Sequence, residues 1–151
     1  MNVQRNLGRI AVGAAGPAAL VAASAVPAAA TSVSIPGTVC TIEAAYPVSH
    51  DGITVYGGAA IICPNNPAAM QNPHIIVQLQ RKNVYTYEFE NFGAPTTAGV
   101  LGYGGTWYGA YASAQICSHD QHYRVAVVGY LFYGQPNQKS AGFTGPEGAA
   151  C

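Results

Sequence analysis

The stretch HYRVAVVGYLFYG, residues 122–134, decides the fold because both of its alternating faces are apolar. Successive side chains of a β-strand point to opposite sides of the sheet, and here Val125 and Val127 alternate with Ala126 and Val128. A strand that is apolar on both sides is covered on both sides. The stretch therefore predicts a central strand, flanked by other strands.

Short apolar runs separated by Gly, Pro and Asn extend outward from this strand and are typical of an all-β domain. The predicted strands cover residues 38–46, 53–63, 75–80, 84–90, 106–117 and 122–134. About six or seven strands with turns at this spacing predict a single antiparallel β-sandwich, immunoglobulin-like or transthyretin-like. A closed barrel is the alternative.

Three segments give the remaining local expectations. In residues 84–90, alternation places Tyr85, Tyr87 and Phe89 on one face of a strand. Residues 91–105 contain too many Gly and Pro for a regular strand and predict a long loop or irregular edge. Residues 135–151 are Gly-rich and polar, which predicts an irregular tail.

The first thirty residues predict a secretory signal peptide. Arg5 and Arg9 precede an apolar stretch over residues 10–25, and three alanines at 28–30 form a small-residue cleavage site. An uncleaved membrane anchor is the alternative, but the stretch is short for a bilayer core of about 30 Å. We expect a secreted domain over residues 31–151, with no membrane association after cleavage.

The sequence contains four cysteines, Cys40, Cys63, Cys117 and Cys151. An even number in a small exported chain predicts two disulfides. Cys63 and Cys117 each end an apolar segment and precede a polar turn, which favours pairing them and leaves Cys40 to bond Cys151. The pairing of Cys40 with Cys63 and of Cys117 with Cys151 stays open.

Charge and motifs exclude several classes of function. Residues 31–151 carry four basic and six acidic side chains, a formal charge of about minus two, and lack the basic stripe of a nucleic-acid-binding protein. His119 and His122 have metal-like spacing but lack further ligands, and His50 and His74 are isolated loop residues. With no nucleophile motif, we expect neither a cofactor nor enzyme activity.

The best candidate for function is the segment GYGGTWYGAY, residues 102–111. Aromatic side chains beside glycines can form a flat platform for a protein partner or, less favoured, for a sugar ring. We expect Tyr103, Tyr108 and Tyr111 to form an exposed binding patch. Trp107 is included in this binding set, although its size favours burial in the core.

A cysteine that ends a strand at Cys63, the strand IIVQLQR at 75–81, and Cys117 followed by HYRVAVVG at 122–129 form a recognisable series. Over residues 63–134 the chain resembles small secreted actinobacterial proteins, and it is similar to the adaptor subunits of streptomycete umbrella toxin particles. The resemblance implies a protein that bridges a lectin-bearing subunit and a repeat-containing toxin subunit.

The sequence therefore predicts a secreted, non-catalytic protein-binding or adaptor module with extracellular protein partners, as in a toxin complex. The alternative is a secreted inhibitor of a trypsin-like protease, in which Lys139 enters an acidic specificity pocket. A carbohydrate hydrolase is least favoured, because neither paired acids in a cleft nor a substrate groove can be identified in the sequence.

Overall fold

The computed structural model describes residues 31–44, 47–49, 52–112, 115–116, 118 and 121–149. These residues form thirteen β-strands and two short 3-10 turns, and every strand pair is antiparallel. The structure thus confirms the all-β antiparallel class. The expected signal peptide at 1–30, and Cys117 and Cys151, lie outside the described residues.

The strands, in chain order, are β1 (Ser32–Ser34), β2 (Thr41–Ala44), β3 (Val48–Ser49), β4 (Thr54–Tyr56), β5 (Gly58–Ile62), β6 (His74–Lys82), β7 (Phe89–Asn91), β8 (Val100–Leu101), β9 (Trp107–Tyr111), β10 (Gln115–Ile116), β11 (His122–Leu131), β12 (Lys139–Thr144) and β13 (Gly148–Ala149). The 3-10 turns are Pro67–Ala69 and Tyr103–Gly105.

The strands form two large sheets and one small one. The first sheet has the order β1-β2-β5-β9-β8, and the second has β12-β11-β6-β7 with β13 also paired to β11. The small sheet has the order β10-β4-β3. Strand β11 pairs with β6 on one side and with β12 on the other, which confirms that it is central.

The two large sheets share one hydrophobic core. From β11, Tyr123, Val125, Val127 and Leu131 are fully buried in it. Residues of the first sheet approach β11 closely at Gly129, where an added Cβ would lie 2.8 Å from Cδ1 of Ile42. Burying a large aliphatic side chain is worth about 1.5–3 kcal/mol, so this sandwich-like contact is a major source of stability.

Gly57 lies where the chain passes from the small sheet to the first sheet. Strand β4 belongs to the small sheet and β5 to the first sheet, with Gly57 between them. A Cβ at Gly57 would overlap Cγ2 of Val125 on the second sheet. Glycine is required there because the backbone itself packs against the core.

The prediction of an irregular tail is wrong. Strand β12 pairs with β11 from Leu131↔Lys139 to Ala126↔Thr144, and β13 returns to pair with His122 and Tyr123. Phe143 is fully buried in the core. One large apolar residue at an inward position, with small neighbours, is enough to place this Gly-rich segment beside the central strand.

The prediction of a strand over residues 84–90 is also wrong. Strand β6 continues to Lys82, and β7 begins only at Phe89. Tyr87 between them has a φ of 59°, so the alternation that placed Tyr85, Tyr87 and Phe89 on one face is broken. Residues 83–88 instead form the turn that joins β6 to β7.

The structure contains a Cys40–Cys63 disulfide, so the favoured Cys63–Cys117 and Cys40–Cys151 pairings are wrong. Cys40 precedes β2 and Cys63 follows β5, and these strands pair with Thr41 opposite Ile62. The same register places Cys40 directly opposite Cys63, with their Cα atoms 4.2 Å apart. The pairing of β2 with β5 thus explains why Cys40 bonds Cys63, the pairing that the sequence had left open.

We expect peptide mapping under non-reducing conditions to recover Cys40 linked to Cys63. Because the bond closes a chain segment with a sequence separation of 23 residues, replacing both cysteines by serine should reduce the free energy of unfolding by about 3 kcal/mol in the chain-entropy model. Urea denaturation measures this loss. A peptide that links Cys63 to Cys117 would contradict the assignment.

We expect Gly129→Val to destabilise the protein by about 1–3 kcal/mol or more, because its side chain would overlap Ile42 and Ile61. Ser140→Val is the matched control, since Ser140 lies opposite Tyr130 in the same strand pair but is exposed. The urea midpoints of both variants test this. Equal midpoints for the two variants would show that the sheets do not meet at Gly129.

Candidate functional site: an aromatic platform on the first sheet

Strand β9 divides the aromatic segment between two faces of the first sheet. Ala110 is buried in the core, and Tyr108 packs against the core. Because side chains alternate along a strand, Trp107, Gly109 and Tyr111 lie on the opposite, outward face. The segment is therefore half core and half surface.

The outward face carries a shallow depression with a floor of small residues. The pairing of β5 with β9 sets Ile62 opposite Trp107, Ala60 opposite Gly109, and Gly58 opposite Tyr111. Trp107 and Tyr111 thus stand at either end of the depression, whose floor includes Gly58 and Ala60, while the indole ring of Trp107 lies over Gly109. We call these five residues (Gly58, Ala60, Trp107, Gly109 and Tyr111) the platform; the depression has a volume of about 240 Å³.

Glycines allow the two aromatic rings to lie close to the backbone. A Cβ at Gly109 would fall 2.5 Å from Cη2 of Trp107, and one at Gly102 would fall 2.7 Å from its Cε3. A Cβ at Gly58 would lie 3.0 Å from Cδ1 of Tyr111. Each ring therefore lies where the side chain of any residue larger than glycine would be. The glycines thus set the positions of the two rings.

The platform is mostly apolar, and Tyr111 is its most exposed residue. Tyr111 is 70% exposed and Trp107 is half-buried. Val100, opposite Gly109 on the edge strand β8, is 68% exposed and extends the apolar area. Exposed Glu43, which lies opposite Ala60 on β2, is the charged residue that lines the depression.

The structure places the expected patch residues differently from one another. Tyr111 is exposed, as expected, but Tyr108 is half-buried and faces inward. Trp107 lies on the outward face, although its size favoured the core. Tyr103 lies in the 3-10 turn Tyr103–Gly105, and its side chain is outside the described part of the structure. Exposed Lys139 begins β12 on the second sheet.

A second aromatic cluster is made of His74, Tyr130 and Tyr133, although the sequence predicted His74 to be an isolated loop residue. The structure makes His74 the first residue of β6, opposite Tyr130 on β11, and stacks its ring on Tyr133 with centroids 4.0 Å apart. Burial lowers the pKa of His74. Burial also raises the pKa of Tyr130. The cross-strand register that brings these rings together cannot be derived from the sequence around any one of them.

Charged side chains on the second sheet are largely paired with one another. Arg81 donates a hydrogen bond of 2.9 Å to Glu90, which, together with a bond from Asn83, lowers the pKa of Glu90. Arg124 lies 4.0 Å from the ring centroid of Phe89, and burial lowers its pKa. These residues bind each other rather than forming an acid–base pair in a cleft.

Trp107 is the single tryptophan of the chain, so its fluorescence reports directly on the platform. We expect Gly109→Ala to displace the indole ring into solvent and shift its emission to longer wavelength, because the new methyl group overlaps the ring. Thr97→Ala, at an exposed loop position, is the control. An emission maximum unchanged by Gly109→Ala would show that the ring does not lie on Gly109.

No family model, no curated protein sequence and no solved structure matches the chain. In the described residues, no group of three or more His, Cys, Asp or Glu side chains could hold a metal ion. None of the helical segments described is long and apolar enough to cross a membrane.

Proposed function

We propose that this chain is a non-catalytic recognition module that binds an extracellular protein partner through the platform. The observation that carries the proposal is the pair of aromatic rings, Trp107 and Tyr111, held on glycines at the two ends of a shallow depression with a floor of small residues. Trp and Tyr are the residues most enriched at the energetic centres of protein interfaces. Rings that are already positioned lose little conformational freedom on binding.

The chemistry of the platform favours a protein partner over a sugar. Of the nine described residues that line the depression, only Glu43, Trp107 and Tyr111 have hydrogen-bonding side chains. A sugar ring that stacks on an aromatic face still needs partners for its hydroxyl groups, since unpaired polar groups are costly to bury. An apolar side chain of a protein needs none, and the alanine and glycine floor gives it room.

The proposal extends to the properties expected from the N-terminal sequence and the cysteines. We propose that residues 1–30 are removed during secretion and that Cys117 bonds Cys151, because the Cys40–Cys63 bond leaves only these two. We further propose an immunoglobulin-like or transthyretin-like sandwich and a role as an adaptor in an extracellular toxin complex. The resemblance to umbrella toxin adaptors supports that role, and the platform supplies a surface for it.

The alternative, inhibition of a trypsin-like protease through Lys139, relies on a different surface. Lys139 is exposed, but its backbone is paired with Leu131 in the β11–β12 ladder. The backbone of an inhibitory segment must enter the protease cleft, whereas one edge of the Lys139 backbone is already bonded to β11. We therefore place recognition by the platform first.

We expect Tyr111→Ala to weaken binding of the protein partner by about thirtyfold, which corresponds to about 2 kcal/mol for a central aromatic residue. The partner is first recovered from native culture supernatant on immobilised residues 31–151 and identified by mass spectrometry. Its affinity is then measured by calorimetry. Because Tyr111 is exposed, the melting temperature of the Tyr111→Ala variant should stay near that of the unmodified protein.

Tyr133→Ala is the control for this measurement, since Tyr133 is also exposed but stacks on His74 of the second sheet. It should leave the affinity for the partner unchanged. Equal affinities of Tyr111→Ala and the unmodified protein would contradict the proposal. Retention on a cellulose or chitin resin that depends on Tyr111 would also contradict it, because the platform would then be a sugar site.

A further inference from the structure

We infer that the turn between β6 and β7, residues 83–88, forms a second binding site, which takes a neutral oligosaccharide. We call it the tyrosine turn. Tyr85 is 90% exposed and Tyr87 is 74% exposed, so both phenol rings present their faces to solvent. The site lies on the second sheet and is separate from the platform.

Hydrogen bonds to and from Asn83 hold the tyrosine turn in one shape. Its Oδ1 accepts the backbone N–H groups of Tyr85 and Thr86 at 2.9 and 3.1 Å. Its backbone N–H donates to the carbonyl of Glu88, and its carbonyl accepts the N–H of Tyr87, both at 2.8 Å. The two exposed rings are therefore carried on an ordered backbone rather than on a loose loop.

Tyr87 adopts a backbone conformation that is unfavourable for a tyrosine. Its φ of 59° lies in the left-handed region, which costs a residue with a Cβ more than it costs glycine. Glycine would relieve this strain and still complete the turn. An exposed tyrosine in this position contributes little to the core, which points to a role for its ring outside folding.

Polar side chains border both tyrosines. One depression of about 310 Å³ is lined by Lys82, Asn83, Val84, Tyr87, Gln121 and His122. A second, of about 210 Å³, shares Lys82, Asn83, Val84 and Gln121 and adds Tyr85, Arg81 and Glu90 among its lining residues. Each ring thus stands beside amide and charged groups that can donate to or accept from hydroxyl groups.

The basic side chains around the site are paired with carboxylates. Lys82 and His122 both bind Glu147, at 3.0 and 2.9 Å, and Arg81 binds Glu90 at 2.9 Å. Because these basic groups are already paired and exposed Glu88 of the turn adds a negative charge, the site disfavours an anion and suits a neutral ligand with many hydroxyl groups. A sugar meets both requirements, because its apolar C–H face can stack on a ring while its hydroxyl groups bind the rim.

The tyrosine turn and the platform therefore differ in chemistry. The platform has aromatic rings with few hydrogen-bonding neighbours, whereas the tyrosine turn has aromatic rings within a polar rim. The carboxamide of Gln121 lines both depressions, so it can donate to or accept from a ligand in either one. The depressions are shallow, which suits weak binding of one or two sugar units.

The test is a titration of ¹⁵N-labelled protein, residues 31–151, with cellohexaose, chitohexaose, xylohexaose and mannohexaose, followed by NMR. We expect at least one of them to produce saturable shifts at Asn83, Gln121 and neighbouring amides, with a Kd of about 1 mM or lower. A heparin hexasaccharide, which is strongly anionic, should bind more weakly. No saturable shift with any of the four neutral probes would overturn the proposal, as would tighter binding of heparin.

Two variants assign the site to the ring of Tyr87. Tyr87→Gly removes the ring and relieves the positive φ, so it should fold normally and bind the sugar about tenfold more weakly. Tyr87→Phe keeps the ring and should bind within about threefold of the unmodified protein. Sugar affinity unchanged in Tyr87→Gly would overturn the assignment.

The platform variant Tyr111→Ala separates this proposal from the proposed protein-binding function. It should bind the sugar as the unmodified protein does, because Tyr111 lies on the first sheet. Loss of sugar binding in Tyr111→Ala would place the sugar on the platform and overturn the assignment to the tyrosine turn. Absence of a protein partner for the platform would leave the sugar titration unaffected.

Discussion

The approach of Ile42 and Ile61 to Gly129 is the contact on which the rest of the structure depends. A side chain at position 129 would occupy the space that these two isoleucines fill, so its absence lets the first sheet pack against the central strand β11. The contact orients β2 and β5, which carry the two isoleucines inward. Their register in turn brings Cys40 opposite Cys63. The disulfide therefore follows from the packing and secures it.

The same orientation creates the candidate binding surface. Because Ile61 points inward, its neighbours Ala60 and Ile62 point outward, and the pairing of β5 with β9 places Trp107 and Tyr111 on that outward face. Glycines then decide how the rings lie, since a methyl group at Gly109 would lift the indole from the sheet. Core packing and surface chemistry are thus coupled through the two-residue period of a strand.

Residues whose environment follows from their own strand could be predicted from the sequence, and residues whose environment depends on register could not. The apolar alternation around Val125 and Val127 is local, and it gave the central strand correctly. The Cys40–Cys63 bond and the stacking of His74 on Tyr133 depend on which residues face each other across strands. The strand predicted over residues 84–90 was wrong for another reason. The alternation of side chains cannot reveal the positive φ of Tyr87, and with this φ the segment forms a turn.

The platform and the tyrosine turn belong to different sheets that share one packed core, which bears on how the two proposed binding surfaces would act together. The backbone of Gly57, at the junction that leads into β5, packs directly against Val125 and Leu79 of the second sheet. With such close packing between the sheets, neither surface has to move for the other to be used. The described residues that line the two proposed surfaces are different ones, so we expect ligands there to bind independently, with affinities set by each surface alone. Their joint occupancy would then depend on the concentrations of the two ligands and not on a conformational change in this chain.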